Sequence, residues 1–123
     1  MKKIKIGWSE VSLVPNGRKV NLAGQFYERI TDVVETPITT TALAIECGDD
    51  CAIFCSCDLV STSHHLLDSV RARLLNIDGF PVDKVMINAI HSHTAPEYGR
   101  RADTTTMTGS AIGVLQSIVP SLK

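Results

Sequence analysis

The chain has 123 residues, 44% of them apolar and 20% charged, which is the make-up of one globular domain and excludes a disordered, collagen-like or disulfide-stapled protein. Twelve basic and thirteen acidic side chains leave a formal charge of −1, so no electrostatic footprint for a nucleic-acid track or an anionic membrane surface exists. No stretch approaches the roughly 20 apolar residues that cross a bilayer, and the apolar residues behind Met1-Lys2-Lys3 are isolated by Lys5 and Glu10. No secretory leader is read there, and a cytoplasmic location is expected.

Residues 3–11 read as a first strand, and Pro15-Asn16-Gly17 follows with strong turn chemistry. Residues 20–37 are irregular. A loop of that length inside a compact domain is usually functional or pinned by something outside it. Over Thr39–Cys47, Thr41, Leu43, Ile45 and Cys47 alternate with Thr40, Ala42, Ala44 and Glu46, the two-residue period of a strand. Gly48-Asp49-Asp50 turns the chain, and residues 51–59 form a nearly continuous apolar run, as in a strand covered on both faces. Together these make a hairpin.

Ser61-Thr62-Ser63 offers hydroxyl caps for a helix in which Leu66, Leu67, Val70, Leu74 and Leu75 recur at helical spacing, with Asp68, Arg71 and Arg73 opposite. Residues 76–81 end it with Gly79 and Pro81, and residues 84–90 read as another buried strand. Strand, helix and strand imply a parallel pair with a right-handed crossover. A last helix is expected over 106–119 on the stripe Ile112, Leu115, Ile118 and Val119, weakened by Gly109 and Gly113. The expected class is α/β, a mixed sheet with flanking helices built from a hairpin and a parallel βαβ unit.

Cys47, Cys51, Cys55 and Cys57 fall within eleven positions, and three of them share one parity on what reads as a single strand. Same-face thiols suit a soft metal, but the spacing is that of neither a zinc nor a redox Cys-x-x-Cys motif, and buried free thiols are the favoured reading.

Parallel sheets place ligands beyond the carboxyl ends of their strands. Two such ends are legible, at Cys57-Asp58 and at Ile90-His91-Ser92-His93-Thr94-Ala95-Pro96, so the crossover sets Asp58 and two histidines on one edge. Residues i and i+2 of an extended chain point to one side, which lets both imidazoles face one metal ion or substrate. A solvent-facing strand cap competes with that reading on even terms. Asp58 reads equally as a metal ligand, an acceptor orienting a histidine, or a cap for the turn into Ser61. Glu97 is a candidate general base, with an exposed loop carboxylate as the plainer reading. His64 and His65, adjacent on a helix, point about 100° apart and read as polar residues of the helix start. Arg100 and Arg101 offer an anion site but are more often solvated in a loop.

The segment His91-Ser92-His93-Thr94-Ala95-Pro96 resembles the motif His-Thr-His-Ser-Gly-Pro-Gly-Gly of the neutral, non-lysosomal ceramidase family. Ile6-Gly7, Val20-Asn21-Leu22-Ala23-Gly24, Ala42-Leu43-Ala44-Ile45-Glu46 and Phe54-Cys55-Ser56-Cys57-Asp58 also occur in the family's order. The resemblance runs to about Gly99 and implies the N-terminal part of a larger catalytic domain. It implies a zinc-dependent amidase in which His91 binds the metal, His93 lies beside it in the substrate site, and an N-acyl amide of lipid type is cleaved. The family's remaining ligands, a second histidine, a glutamate and a tyrosine, lie downstream of the matched region. Ala95 stands where the motif has Gly, and Glu97-Tyr98 where it has Gly-Gly, so larger side chains alter the pocket floor.

Two other readings are carried. A non-catalytic α/β module that binds a partner is motivated by the shortage of metal ligands in 123 residues. An amidohydrolase barrel ranks low, because its histidine pair follows the first strand and it needs about twice this length. Unpartnered strands and apolar faces would favour self-association or packing against the rest of a catalytic domain.

Overall fold

The alternation at Thr39–Cys47 folds as a strand, and the hairpin and crossover read from its neighbours are both present. The computed structural model describes residues 1–15 and 17–97. The expected helix over 106–119 and Arg100-Arg101 lie outside the described residues.

The main sheet is mixed. Its strands stand in the order β1 (Ile4–Ser12), β4 (Thr39–Cys47), β5 (Asp50–Cys57) and β6 (Val85–Ala89), and β2 (Val20–Asn21) and β3 (Ile30–Thr31) form a small separate hairpin. β1 runs antiparallel to β4 and β4 antiparallel to β5, while β6 joins β5 in parallel. Cys47 pairs with Asp50, so Gly48 and Asp49 alone make the β4–β5 turn. Gly48 sits there at φ +65°, a left-handed conformation that favours glycine.

Helix α1 (His64–Leu74) carries the crossover. Ser63 caps it, its hydroxyl accepting from the Leu66 amide at 3.2 Å, which satisfies one of the first-turn donors. Leu66, Val70 and Leu74 are its buried stripe, one turn apart, and they pack on Ala42, Ala44, Ile53, Cys55 and Val85. Alanines on β4 keep that face low, so the helix can lie close. The Arg71 guanidinium adds a tie at 3.0 Å to the Val85 carbonyl, coupling the helix to the start of β6. A second, smaller cluster of Leu13, Cys57, Leu59 and Ala95 lies at the carboxyl end of β5 and anchors the chain just beyond the two histidines.

The run at 51–59 predicts cover on both faces, and the structure differs. Cys51, Ile53, Cys55 and Cys57 share the α1 side of β5, whereas Phe54 points the other way into a cross-strand row with Trp8, Leu43 and Met86. That row is 37–74% exposed among the described residues. Apolar surface in such a contiguous row is ordinarily a contact surface.

Cys55 and Cys57 are buried free thiols, as expected, but Cys47 and Cys51 are only partly buried. The buried Thr40 hydroxyl lies 3.3 Å from the Cys57 sulfur and 3.9 Å from that of Cys55, which gives it partners inside the core. Burial pushes the Cys55 thiol up to about 11 and raises that of Cys57 too, because a thiolate loses its hydration there.

Two predictions follow from this core. Leu66→Ala should lower the unfolding free energy by about 2–5 kcal/mol, read from urea denaturation. Above pH 9 the unfolded chain sheds the Cys55 proton while the folded chain keeps it up to about 11, so stability falls across that window. The fall should be shallower in Cys55→Ala than in the wild type; equal pH slopes would contradict the assignment.

Candidate functional site

The carboxyl ends of β5 and β6 lie side by side because the two strands are parallel, with Cys57 opposite Ala89. Beyond them the chains stay together. Ile90 N donates to the Cys57 carbonyl at 3.1 Å and Ser92 N to the Leu59 carbonyl at 3.0 Å. This continuation brings His91 against Val60. His91 Nδ1 stands 2.8 Å from the Val60 carbonyl, and a carbonyl oxygen only accepts, so Nδ1 carries the proton. In the neutral ring the Nε2 lone pair is then bare.

His93 Nε2 lies 3.2 Å from that bare nitrogen, with the rings edge to face at 69° and 4.9 Å between centroids. In the neutral pair His93 Nε2 is therefore the donor. The route to this geometry differs from a simple extended strand. β6 ends at Ala89, and His91 has φ +69°, a left-handed conformation that costs a non-glycine residue about 1–2 kcal/mol. Ser92 and Thr94 share the opposite side of the loop, their hydroxyls 3.2 Å apart. They line a cleft of about 510 Å³ with Leu22, Ile38, Asp58 and Ile90, and neither histidine lines it.

The other two candidates have different neighbours. One oxygen of the Asp58 carboxylate accepts from the Thr39 amide at 2.8 Å and from the Thr39 hydroxyl at 3.2 Å, while Asp58 N donates back to the Thr39 carbonyl. Asp58 thus ties the start of β4 to the end of β5, and the partner that orients His91 is the Val60 carbonyl. Glu97 accepts from the Asn21 side-chain amide at 2.9 Å. His64 and His65 lie exposed in the first turn of α1.

The segment around β2 and β3 is pinned to the histidine loop. Leu22 bridges Pro96, Ala23 N donates to the Ala95 carbonyl at 2.9 Å, and Glu97 N to the Asn21 carbonyl at 2.6 Å. The Arg29 side chain donates from Nη2 to the carbonyls of Ala23 and His93. The irregular stretch at 20–37 is thus held from outside itself. Sequence reasoning missed Arg29, Gly24 and the Val60 carbonyl as parts of this arrangement. Val20-Asn21-Leu22-Ala23-Gly24 was legible only as a family match; Arg29 carried no local signal.

Among the described residues no group of three His, Cys, Asp or Glu side chains gathers in a way that would hold a metal ion. The donor set present does fit one position of a zinc site. His91 presents a bare Nε2, and a carbonyl behind its Nδ1 is a usual orienting partner of a zinc-bound histidine.

The fold is similar to that of solved ceramidase structures. A neutral ceramidase from Pseudomonas aeruginosa superposes with a TM-score of 0.83 over 94% of this chain and 21% of that chain, at 16% sequence identity. A ceramidase complexed with C2 gives 0.78 over 91% of this chain and 20% of that one, at 15% identity. No family model matches the sequence. No curated protein matches it either. At such identities the likeness is one of fold: the chain has the α/β architecture of part of a ceramidase domain and spans about one fifth of the length of those two structures.

Asp58→Ala should lower the unfolding free energy by about 1.5–3 kcal/mol, since two donors on Thr39 lose a charged acceptor. Asp58→Asn, whose amide oxygen still accepts from Thr39, should lose clearly less. Equal losses in the two variants would show that the hydrogen bonds are not what Asp58 supplies.

Proposed function

We propose that this chain carries the first part of the active site of a ceramidase-like metal hydrolase that cleaves an N-acyl amide or a related ester. The observation that carries the reading is the tautomer of His91. Its Nδ1 proton is committed to the Val60 carbonyl, so Nε2 is presented bare, beside a second imidazole, at the carboxyl edge of a parallel strand pair. The ceramidase-like fold around the pair supports the same reading.

In this proposal His91 holds zinc through Nε2, and His93 lies beside it in the substrate site. When bound, zinc supplies Lewis acidity to an amide carbonyl and acidifies a water molecule. The chain's own residues do the rest of what is legible. Val60 fixes the His91 tautomer, and the left-handed backbone at His91 turns its ring toward that of His93. His93 offers an Nε2–H to a neighbouring acceptor, which is His91 in the structure as it stands. Glu97, one carboxylate oxygen of which accepts from Asn21, is the candidate to accept a proton. Further ligands come from outside the described residues. Ala95 is buried with Leu13, Cys57 and Leu59 and anchors the chain just beyond the histidines.

The substrate class we propose, on the resemblance and with the fold in support, is a small or lipid-like molecule with an acyl bond. No helix among the described residues is long and apolar enough to cross a membrane.

The test is metal content and turnover together. The complete catalytic domain carrying this segment, purified without chelators, should hold near-stoichiometric zinc and hydrolyse a fluorogenic N-acyl amide, whereas these 123 residues alone are expected to be inactive. His91→Asn, which tolerates the left-handed backbone but removes the imidazole, should reduce both to background. Zinc retained in that variant would sink the assignment of His91. Absence of zinc from the wild type would favour the non-catalytic module.

A further inference from the structure

The residues that hold the histidine loop are as specific as the histidines themselves. Arg29 is half-buried, and a single nitrogen of its guanidinium, Nη2, donates one hydrogen to the Ala23 carbonyl at 2.9 Å and the other to the His93 carbonyl. Hydrogen bonds from a charged donor are about twice as strong as neutral ones. Arg29 is itself fixed at both ends of its backbone. Its N–H donates to Asn21 Oδ1 at 2.8 Å, and its carbonyl accepts from Leu22 N at 2.9 Å. Asn21 then reaches across with its other side-chain atom to Glu97. One polar chain thus runs from Glu97 through Asn21 and Arg29 to the His93 carbonyl.

Gly24 lies at the centre of this clamp. It has φ +84°, and a Cβ built on it would stand 2.5 Å from both Cγ and Nδ1 of His93. Real Cβ contacts do not come so close, and the obstacle is an imidazole ring rather than the loose end of a flexible chain. The bare α-carbon of Gly24 is therefore the wall against which the His93 ring rests.

We infer that Arg29 and Gly24 are positioning residues for the histidine pair: Arg29 clamps the His93 backbone to Ala23, and Gly24 sets the plane and depth of the His93 ring against His91. The inference concerns residues outside the histidine motif, and its functional part rests on the reading of His91 and His93 as a metal and substrate site. The clamp also accounts for the ordering of the 20–31 segment, whose two-residue strands are too short to hold it alone.

The experiment uses the full chain and two readouts. In metal-free protein, nuclear Overhauser contacts between Gly24 α-protons and the His93 ring report the clamp directly, while amide shifts in α1 and β5 report the fold. A long-range proton–nitrogen correlation spectrum reports the His93 Nε2–H bond to His91. Arg29→Ala should keep the α1 and β5 shifts and lose both the Gly24–His93 contact and that bond. Arg29→Lys, which keeps a charged donor of different reach, should recover part of both. Gly24→Ala should displace the His93 ring and lose the bond likewise. If Arg29→Ala does not fold, Arg29→Lys and Gly24→Ala carry the test. A ring contact and a His93–His91 bond that stay at wild-type level in the folded variants would overturn the inference. A complete catalytic domain that binds no zinc would defeat the metal reading alone, and the ring contact would still decide whether the clamp exists.

Discussion

The parallel pairing of β5 with β6 is the constraint on which the site depends, because it lays two outgoing chain segments side by side where the strands stop. Antiparallel neighbours would have sent one of them to the other end of the sheet. The pairing continues past the strands as Ile90 to Cys57 and Ser92 to Leu59, and its last product is the bond between His91 Nδ1 and the Val60 carbonyl. Everything chemical about the pair follows from that bond. It fixes which nitrogen of His91 is bare, and so which nitrogen of His93 must donate.

Packing energy enters at one remove. The stripe of Leu66, Val70 and Leu74 presses α1 onto the sheet and holds the crossover that makes the pairing parallel. The smaller cluster around Ala95 and Leu59 holds the far side of the histidine loop. Between these two apolar anchors the loop carries a left-handed histidine, a conformation of modest cost that fixed surroundings can sustain. The clamp through Arg29 and the recess at Gly24 add polar and steric definition on the remaining side.

Much of the frame was legible in the sequence, for reasons that can be stated residue by residue. The alternation from Thr39 to Cys47 matched β4 to the residue, and the 3.6-residue stripe with Ser63 before it located α1. β5 and β6 were read one or two residues too long, since Leu59 and Ile90 are apolar for reasons of packing or loop pairing rather than strand pairing. The apolar run in β5 suggested two covered faces, yet Phe54 belongs to an exposed row with Trp8, Leu43 and Met86. The histidines announced themselves by spacing, and their common edge with Asp58 came from the crossover rule. Asp58 itself binds Thr39. The orienting carbonyl of Val60 has no side-chain signature, and Arg29 meets His93 across 64 residues, so no local pattern pointed to either.

The chemistry of the histidine pair therefore stands on a proton position, and a long-range proton–nitrogen correlation spectrum of the metal-free protein reads that position directly. His91 should be found with Nδ1 protonated and Nε2 bare. A His91 ring carrying its proton on Nε2 would contradict that assignment, because the nitrogen offered to a metal would then be the one facing a carbonyl.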